Sequence, residues 1–288
     1  MVAPLLHKRF EMVSLVVYAT KLPPAPQVFG RIIAAIKDGE CSLGRLAELI
    51  RLDAALTVQV LRVANGALSG FRSPAGSVEE AVLRIGFKEL HRVVGLCAAS
   101  AVYQADMAVY AAPADRVWAN AVATAVAMER LCAATGSDAA LGYTAGLLRC
   151  IGKMALARHA AGAVTPYPAD GTPLPDWETR IFGYNHAQIG AALCELWRFP
   201  KPIVGAIRDQ LHPSPHPGDD TLARLLNLAG GIAVDLDCGL PGEESLWTDA
   251  GGRAAQAGLD PARLEILRME TSLETDRMKT MVEFIRQG

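Results

Sequence analysis

The chain has 288 residues, enough for one large domain or two smaller domains that each have a hydrophobic core. Its charge is nearly balanced, with 28 Lys and Arg against 30 Asp and Glu, so nothing in the overall composition favours binding to nucleic acid. Apolar residues make up 51% of the chain and aromatic residues 6%, and long runs of alternating β-branched residues are scarce. This pattern predicts an all-α protein.

The six cysteines lie far apart and form no C-x-x-C pair, so they predict neither a zinc site nor a redox motif. We expect them to be small buried residues of a reduced, cytoplasmic protein. The apolar run at residues 12–19 is too short to span a bilayer, and its charged flanks do not suit a signal peptide. No association with a membrane is therefore expected.

Helical signals begin after a proline-rich entry at residues 21–26, where the prolines fix φ and remove backbone donors. Five helices are predicted from apolar periodicity, N-cap residues and glycine stops. They are a first helix ending at Asp38-Gly39, a second beginning at Ser42, a third capped by Asp53 and ending near Asn65-Gly66, a fourth with a capping box at Ser77 to Glu80 and a stop at Gly86, and a fifth from Lys88 to about Tyr103.

Four runs in this half occur in an order and spacing typical of one known family. They are Leu22-Pro23-Pro24, the run at 52–57, the run at 61–65 and the capped helix at 77–86. Together they resemble the N-terminal half of an HDOD domain, the HD-related output domain of bacterial signalling proteins. The resemblance implies an all-α HDOD fold in which an N-terminal helical bundle packs on an HD-like helical bundle.

The resemblance covers residues 22–213 and predicts how the chain is organised. The expected parts are an N-terminal lead-in at 1–21, an N-terminal helical subdomain at 22–111, an HD-like subdomain at 112–213 and a C-terminal helical extension at 214–288.

The HD-like half carries the motif positions at which catalytic HD enzymes hold a metal. A long helix predicted from Asp115 to about Ala134 contains Trp118-Ala119-Asn120, which is similar to the Trp-x-His of the family. The run at 145–156, on a helix expected from Ala145 to Arg158, resembles the family's Gly-Leu-Leu-His-Asp-Ile-Gly-Lys core. Arg149 and Cys150 stand where that core has its His-Asp pair, and Gly230 stands where the final aspartate ligand would lie.

None of these four residues is a good ligand for a hard metal. An imidazole or a carboxylate donates lone pairs, whereas the guanidinium of Arg149 carries only donors and a fixed positive charge. Asn120 offers a neutral amide, which is a weak ligand. We therefore interpret Asn120, Arg149, Cys150 and Gly230 as degenerate metal-site positions, and we expect neither a metal nor another cofactor.

One motif histidine is retained. His186 lies in a run at 182–190 that resembles the family's Asp-His-Ala-x-x-Gly turn into a helix. It is expected at a helix start, bonded to backbone and serving packing, with contact to a ligand as the alternative. Further on, Gln210 and Leu211 largely replace two histidines of the family's closing motif.

The C-terminal part lies outside the resemblance. Pro, Gly and Thr at 162–175 predict a surface loop, and Gly, Pro and acidic residues predict another from Asp237 to Gly258. Asp260-Pro261 is a clear helix start, and the helix is expected to continue to about Arg286. This tail is expected to cap the domain, and the alternative is that it pairs with a partner.

Three classes of function are open at this point. The first is a non-catalytic signalling module that binds a partner protein or a small regulator; the resemblance implies cyclic-dinucleotide, motility or stress pathways as its setting. The second is an enzyme, either a phosphohydrolase with a relocated site or a thiol enzyme that uses Cys150. The third is a nucleotide or anion sensor, in which Arg149, with Lys153 and His186 as further contacts, binds phosphate in the emptied pocket. For Arg149, pairing with a nearby carboxylate or exposure to solvent is the simpler alternative.

Overall fold

A computed structural model describes Val17 and residues 25–37, 42–65, 73–160, 164–168, 170–214, 221–247 and 250–286. The regular elements within these ranges are helices, and one isolated β-bridge joins Met107 to Ala112. This confirms the all-α prediction. The lead-in at 1–21, apart from Val17, and the proposed stops at Asp38-Gly39 and Gly66 lie outside the described residues. In the part of the chain that is described, no helix is both long and apolar enough to cross a bilayer.

The N-terminal half forms five helices in the described ranges, and the second, third and fourth begin at the predicted caps. Their bounds are α1 (Ala25–Lys37), α2 (Leu43–Arg51), α3 (Ala54–Asn65), α4 (Val78–Ile85) and α5 (Phe87–Val102). Ser42, Asp53 and Ser77 each accept a hydrogen bond from the amide three residues on, at 3.1, 2.9 and 3.1 Å. The capping box is only half formed, because the Glu80 carboxylate accepts from the Gly76 amide at 2.9 Å instead of from the Ser77 amide.

Six helices form the HD-like subdomain within the described ranges, and a seventh begins the C-terminal extension and packs against them. They are α6 (Ala114–Thr135), α7 (Ala139–Leu148), α8 (Ile151–Ala160), α9 (Leu174–Phe182), α10 (His186–Leu196), α11 (Lys201–Asp209) and α12 (Thr221–Asp235). Helix α6 lies at the centre and packs against α7, α12 and the C-terminal helix.

The single helix predicted from Ala145 to Arg158 is wrong, because the chain breaks between α7 and α8 at Arg149 and Cys150. The Arg149 amide closes a tight turn by donating to the Gly146 carbonyl at 3.3 Å. Helix α8 then crosses α10 so closely that a Cβ at Gly152 would lie 1.9 Å from the His186 carbonyl oxygen. Because of this break, the Arg149 side chain contacts Glu243 while Gly152 of α8 packs against the backbone of α10.

The C-terminal extension is more helical than predicted. The loop expected from Asp237 to Gly258 contains a 3₁₀ turn at Glu244–Trp247 and the helix α13 (Ala250–Gln256), so that prediction is wrong. The last helix, α14 (Pro261–Arg286), begins at Asp260 as predicted and packs on α3, α6 and α13. It packs against the domain along one face, and Met269 and Leu273 on the same helix are exposed, so capping and pairing with a partner both stay predictions.

A buried network joins α14 to the two helical bundles. Arg92 on α5 donates through Nε and Nη2 to Glu129 on α6, at 3.1 and 2.6 Å, and through Nη1 to Glu274 on α14 at 3.0 Å. All three side chains are at most 12% exposed. One guanidinium therefore holds together an N-terminal helix, the central helix and the extension.

The interface between α5 and α7 predicts a dependence of stability on pH. Burial lowers the pKa of His91 from 6.5 to about 4, although the carboxylates of Glu129 and Asp138 act in the opposite direction. Its Nε2 donates to Thr144 Oγ at 3.0 Å, because the threonine hydroxyl hydrogen is used on the Ala140 carbonyl. As the pH falls, His91 is therefore protonated near pH 6.5 in the unfolded chain but only near pH 4 in the folded chain.

We expect His91 to reduce the unfolding free energy by about 2 kcal/mol as the pH falls from 7.5 to 5. Above pH 7 the contribution disappears, since both states are neutral. Urea denaturation of the wild type and of His91→Gln at both pH values tests this. The variant should lose less stability on acidification, and an equal loss in both proteins would contradict the assignment.

Candidate functional site

Three of the four degenerate positions meet in one buried cluster. Arg149 Nη2 and Cys150 Sγ both donate to Oδ1 of Asn120 on α6, at 2.6 and 3.2 Å. The Asn120 amide nitrogen donates to the Cys238 carbonyl at 2.8 Å. Asn120 therefore acts as a hydrogen-bonding bridge at the position of the first metal ligand, and its side-chain amide has partners on both sides.

The anion of this cluster is Glu243, which lies in the C-terminal extension. Arg149 makes a bidentate pair with its carboxylate, at 3.1 Å to Oε1 and 2.9 Å to Oε2, and Lys153 Nζ donates to Oε1 as well. The three side chains are at most 1% exposed. Burial alone would raise the pKa of Glu243, but the charges of Arg149 and Lys153 outweigh it and hold that pKa far below its ordinary value. Glu243 is thus a permanent carboxylate.

Gly230 contributes space instead of a ligand. A Cβ at this position would lie 2.9 Å from the indole ring of Trp247, which is 6% exposed. The guanidinium carbon of Arg149 lies 5.7 Å from the centre of that ring, and the guanidinium carbon of Arg253 lies 5.4 Å from it. The glycine therefore allows Trp247 to cover Arg149 through a cation–π contact.

His186 belongs to a second buried group beside the cluster. Its amide and its Nδ1 both bond to Oε2 of Glu178, at 2.9 and 2.7 Å, and the Tyr110 hydroxyl donates to Oε1 at 2.8 Å. Burial, followed by the negative charge of Glu178, raises the pKa of Tyr110 well above its ordinary value, so the phenol remains a donor. Lys153 Nζ lies 5.6 Å from the centre of the Tyr110 ring and links the two groups.

The donor set does not fit a metal ion. Within the described ranges, no group of three His, Cys, Asp or Glu side chains is arranged to hold one. Arg149 places a fixed positive charge where the family motif has a metal ligand, and this charge repels a cation. Burial raises the pKa of Cys150, even though Arg149 acts to lower it, so its thiol stays protonated at neutral pH.

Sequence reasoning missed four residues of the site. Glu243 and Trp247 lie beyond the motif runs, in a stretch that was predicted to be a loop, and no spacing pattern marks them. Glu178 and Tyr110 lie between motifs, and the one sequence signal near them is His186, which bonds to Glu178. Arg149 pairs with a carboxylate, which was the simpler of the two interpretations of this residue. Lys153 contacts the same carboxylate, and His186 belongs to the neighbouring group around Glu178.

The arrangement of helices, with a buried ion-pair cluster on the motif run at 145–156, indicates an HD-related protein. The model of the HDOD domain matches residues 22–213. The chain belongs to the HDOD family. Glu243 and Trp247 lie beyond the matched residues.

Solved structures share the fold over nearly the whole chain. A candidate signal transduction protein from Marinobacter aquaeolei has 22% identity and a TM-score of 0.68, with 98% of this chain and 63% of that chain covered. A candidate phosphohydrolase from Shewanella amazonensis has 25% identity and a TM-score of 0.60, with 92% and 97% covered. An HDOD domain protein of unknown function from Geobacter sulfurreducens has 18% identity and a TM-score of 0.61, with 96% of each chain covered.

Among curated proteins, an uncharacterised protein from Treponema pallidum is 28% identical over 201 residues. The match takes in 68% of this chain and 38% of the relative, so the chain spans less than half the length of that protein.

Replacing Glu243 by Gln should be strongly destabilising. It leaves Arg149 and Lys153 buried without an anion, and breaking such a pair costs about 3–5 kcal/mol. The matched control is Glu265→Gln, which removes an exposed carboxylate 3.1 Å from Arg268 and should cost less than about 1 kcal/mol. Chemical denaturation of both variants tests this. Equal losses would mean that Glu243 is not a buried counter-ion.

Proposed function

We propose that the protein is a non-catalytic bacterial signal-transduction module that acts in the cytoplasm by binding a partner protein or a regulatory ligand. The observation that carries this proposal is that Arg149, at a position where an HD enzyme has a metal ligand, forms a buried ion pair with Glu243, which Lys153 also contacts. The nearly balanced charge gives no reason to invoke nucleic acid or a membrane as the partner.

Hydrolysis of a phosphodiester by an HD enzyme needs a metal ion that lowers the pKa of water and stabilises the charge developing on phosphate. In this chain the pocket holds fixed cations and a carboxylate that is already bidentate with Arg149. The cations could bind phosphate, but they cannot generate hydroxide. Cys150 is a poor nucleophile, because its thiol is buried with a raised pKa. An enzyme with a relocated site is therefore the weaker alternative.

Similarity in fold to a candidate signal transduction protein supports the signalling part of the proposal. The candidate phosphohydrolase, at 25% identity, supports the competing enzyme hypothesis. The residues of the pocket favour the signalling hypothesis, because no described group of side chains is arranged to hold a metal ion.

A nucleotide or anion sensor in the HD-like pocket is the second candidate. It is favoured by one contact, the carboxylate of Glu243, because a pocket that binds one oxyanion has the donors for another. Such a ligand would have to displace Glu243. Radiolabelled nucleotides should then bind without turnover. By supplying the missing anion, they should also raise the melting temperature of the destabilised Glu243→Ala variant more than that of the wild type.

Elemental analysis of protein purified without chelator or metal-affinity resin tests the non-catalytic proposal. We expect no stoichiometric iron, manganese, magnesium, zinc or nickel and no phosphodiesterase activity, because no described donor set fits an ion. One tightly held metal per chain, with turnover that is lost in Cys150→Ala, would contradict the proposal.

Restoring the family ligands should not restore metal binding by itself. The variant Asn120→His, Arg149→His, Cys150→Asp, Gly230→Asp places an aspartate where a Cβ already comes within 2.9 Å of Trp247. We expect metal binding, measured by calorimetry, only when Trp247→Ala is added, because that change makes room for the new aspartate. Tight binding by the fourfold variant alone would mean that the pocket has kept its metal geometry.

A further inference from the structure

A groove of about 760 Å³ lies between α1 and α2, away from the charge cluster. Three arginines line it: Arg31 on α1, Arg45 on α2 and Arg198 just after α10. Its apolar lining comes from Leu49 and Leu52 and from alanines of α1, and no acidic residue lines it among those that the structure describes. The volume is in the range of pockets that hold small molecules.

The arginines of the groove have few acidic partners among the described residues. Arg31 and Arg198 form no ion pair with any of them. Within the same ranges Arg45 pairs with Glu48 alone, at 3.1 Å, and both side chains are more than half exposed. An exposed pair of this kind is weak in water, so Arg45 can exchange Glu48 for another anion at little cost.

The first turn of α2 adds backbone donors to the same groove. Ser42 lines the groove and caps the helix through the Arg45 amide, which leaves the amides of Leu43 and Gly44 without acceptors inside the helix. The first turn contains no acidic residue. The helix dipole therefore favours an anion on the side where the arginines lie.

Arg198 holds a backbone conformation that costs free energy. Its φ is 60°, in the left-handed region that glycine adopts most easily. The amide of the next residue, Phe199, bonds to the Cys194 carbonyl at 2.9 Å across this turn, so the conformation is required by the end of α10. A glycine would fit the backbone better, and it would remove a guanidinium from the groove.

We propose that this groove binds a phosphate-bearing small molecule of nucleotide size. The phosphate lies between Arg31 and Arg198, close to the amides at the start of α2, and the less polar part of the ligand packs on Leu49 and Leu52. Bidentate guanidinium contacts and a helix start are both suited to phosphate. No residue of the HD-like pocket takes part, so this proposal stands apart from the sensor hypothesis for Arg149.

Isothermal titration calorimetry with 5′-AMP tests the groove, with adenosine and ribose 5-phosphate as matched probes. We expect AMP to bind more tightly than either, because adenosine lacks the phosphate and ribose 5-phosphate lacks the base. Added salt should weaken AMP binding, since the arginines are exposed to solvent.

Two variants locate the binding. Arg31→Gln and Arg198→Gly should each weaken AMP binding at least tenfold, while Arg263→Gln, an exposed arginine on α14, should leave it unchanged. Arg198→Gly should also melt at a temperature equal to or above that of the wild type, because glycine relieves the positive φ. Loss of binding then cannot result from unfolding.

Three results would overturn the proposal. They are failure of AMP to bind at millimolar concentration, adenosine binding as tightly as AMP, and AMP affinity that is unchanged in both Arg31→Gln and Arg198→Gly. A metal found in the HD-like pocket would contradict the non-catalytic proposal and would not affect this result.

Discussion

The buried guanidinium of Arg149 is the constraint on which the rest of the pocket depends. An arginine cannot discharge by losing a proton, so a fully buried one must be given an anion, hydrogen-bond acceptors or an aromatic face. Arg149 has all three, from Glu243, Asn120 and Trp247. Lys153 adds a second charge to the same carboxylate. An arginine can therefore be buried at this position only together with partners supplied from elsewhere in the chain.

The partners of Arg149 connect the HD-like bundle to the extension. Glu243 and Trp247 come after residue 213, yet their side chains complete the pocket at Arg149 and Gly230. Helix α14 is attached in a similar way, through the pair between Arg92 and Glu274. The matched family region thus lacks the anion that its own arginine requires. This makes the extension a structural part of the pocket, and removing it would leave Arg149 buried without its anion or exposed to water.

Local chemistry explains which features could be predicted. Helices and caps at Ser42, Asp53 and Ser77 follow from periodicity and short side chains that bond nearby amides, so the sequence was sufficient for them. The break at Arg149 depends on how α8 packs on α10, which no local pattern carries. The partner of Arg149 could not be predicted for the same reason, since Glu243 is 94 residues away in the sequence, in a segment rich in turn residues.

A double-mutant cycle between Arg149 and Glu243 tests the central claim most directly. Arg149→Met, Glu243→Gln and the double variant are compared by the free energy of unfolding. If the two side chains form a buried ion pair, the double variant loses at least about 2 kcal/mol less than the sum of the single losses. Losses that add within about 0.5 kcal/mol would contradict the claim.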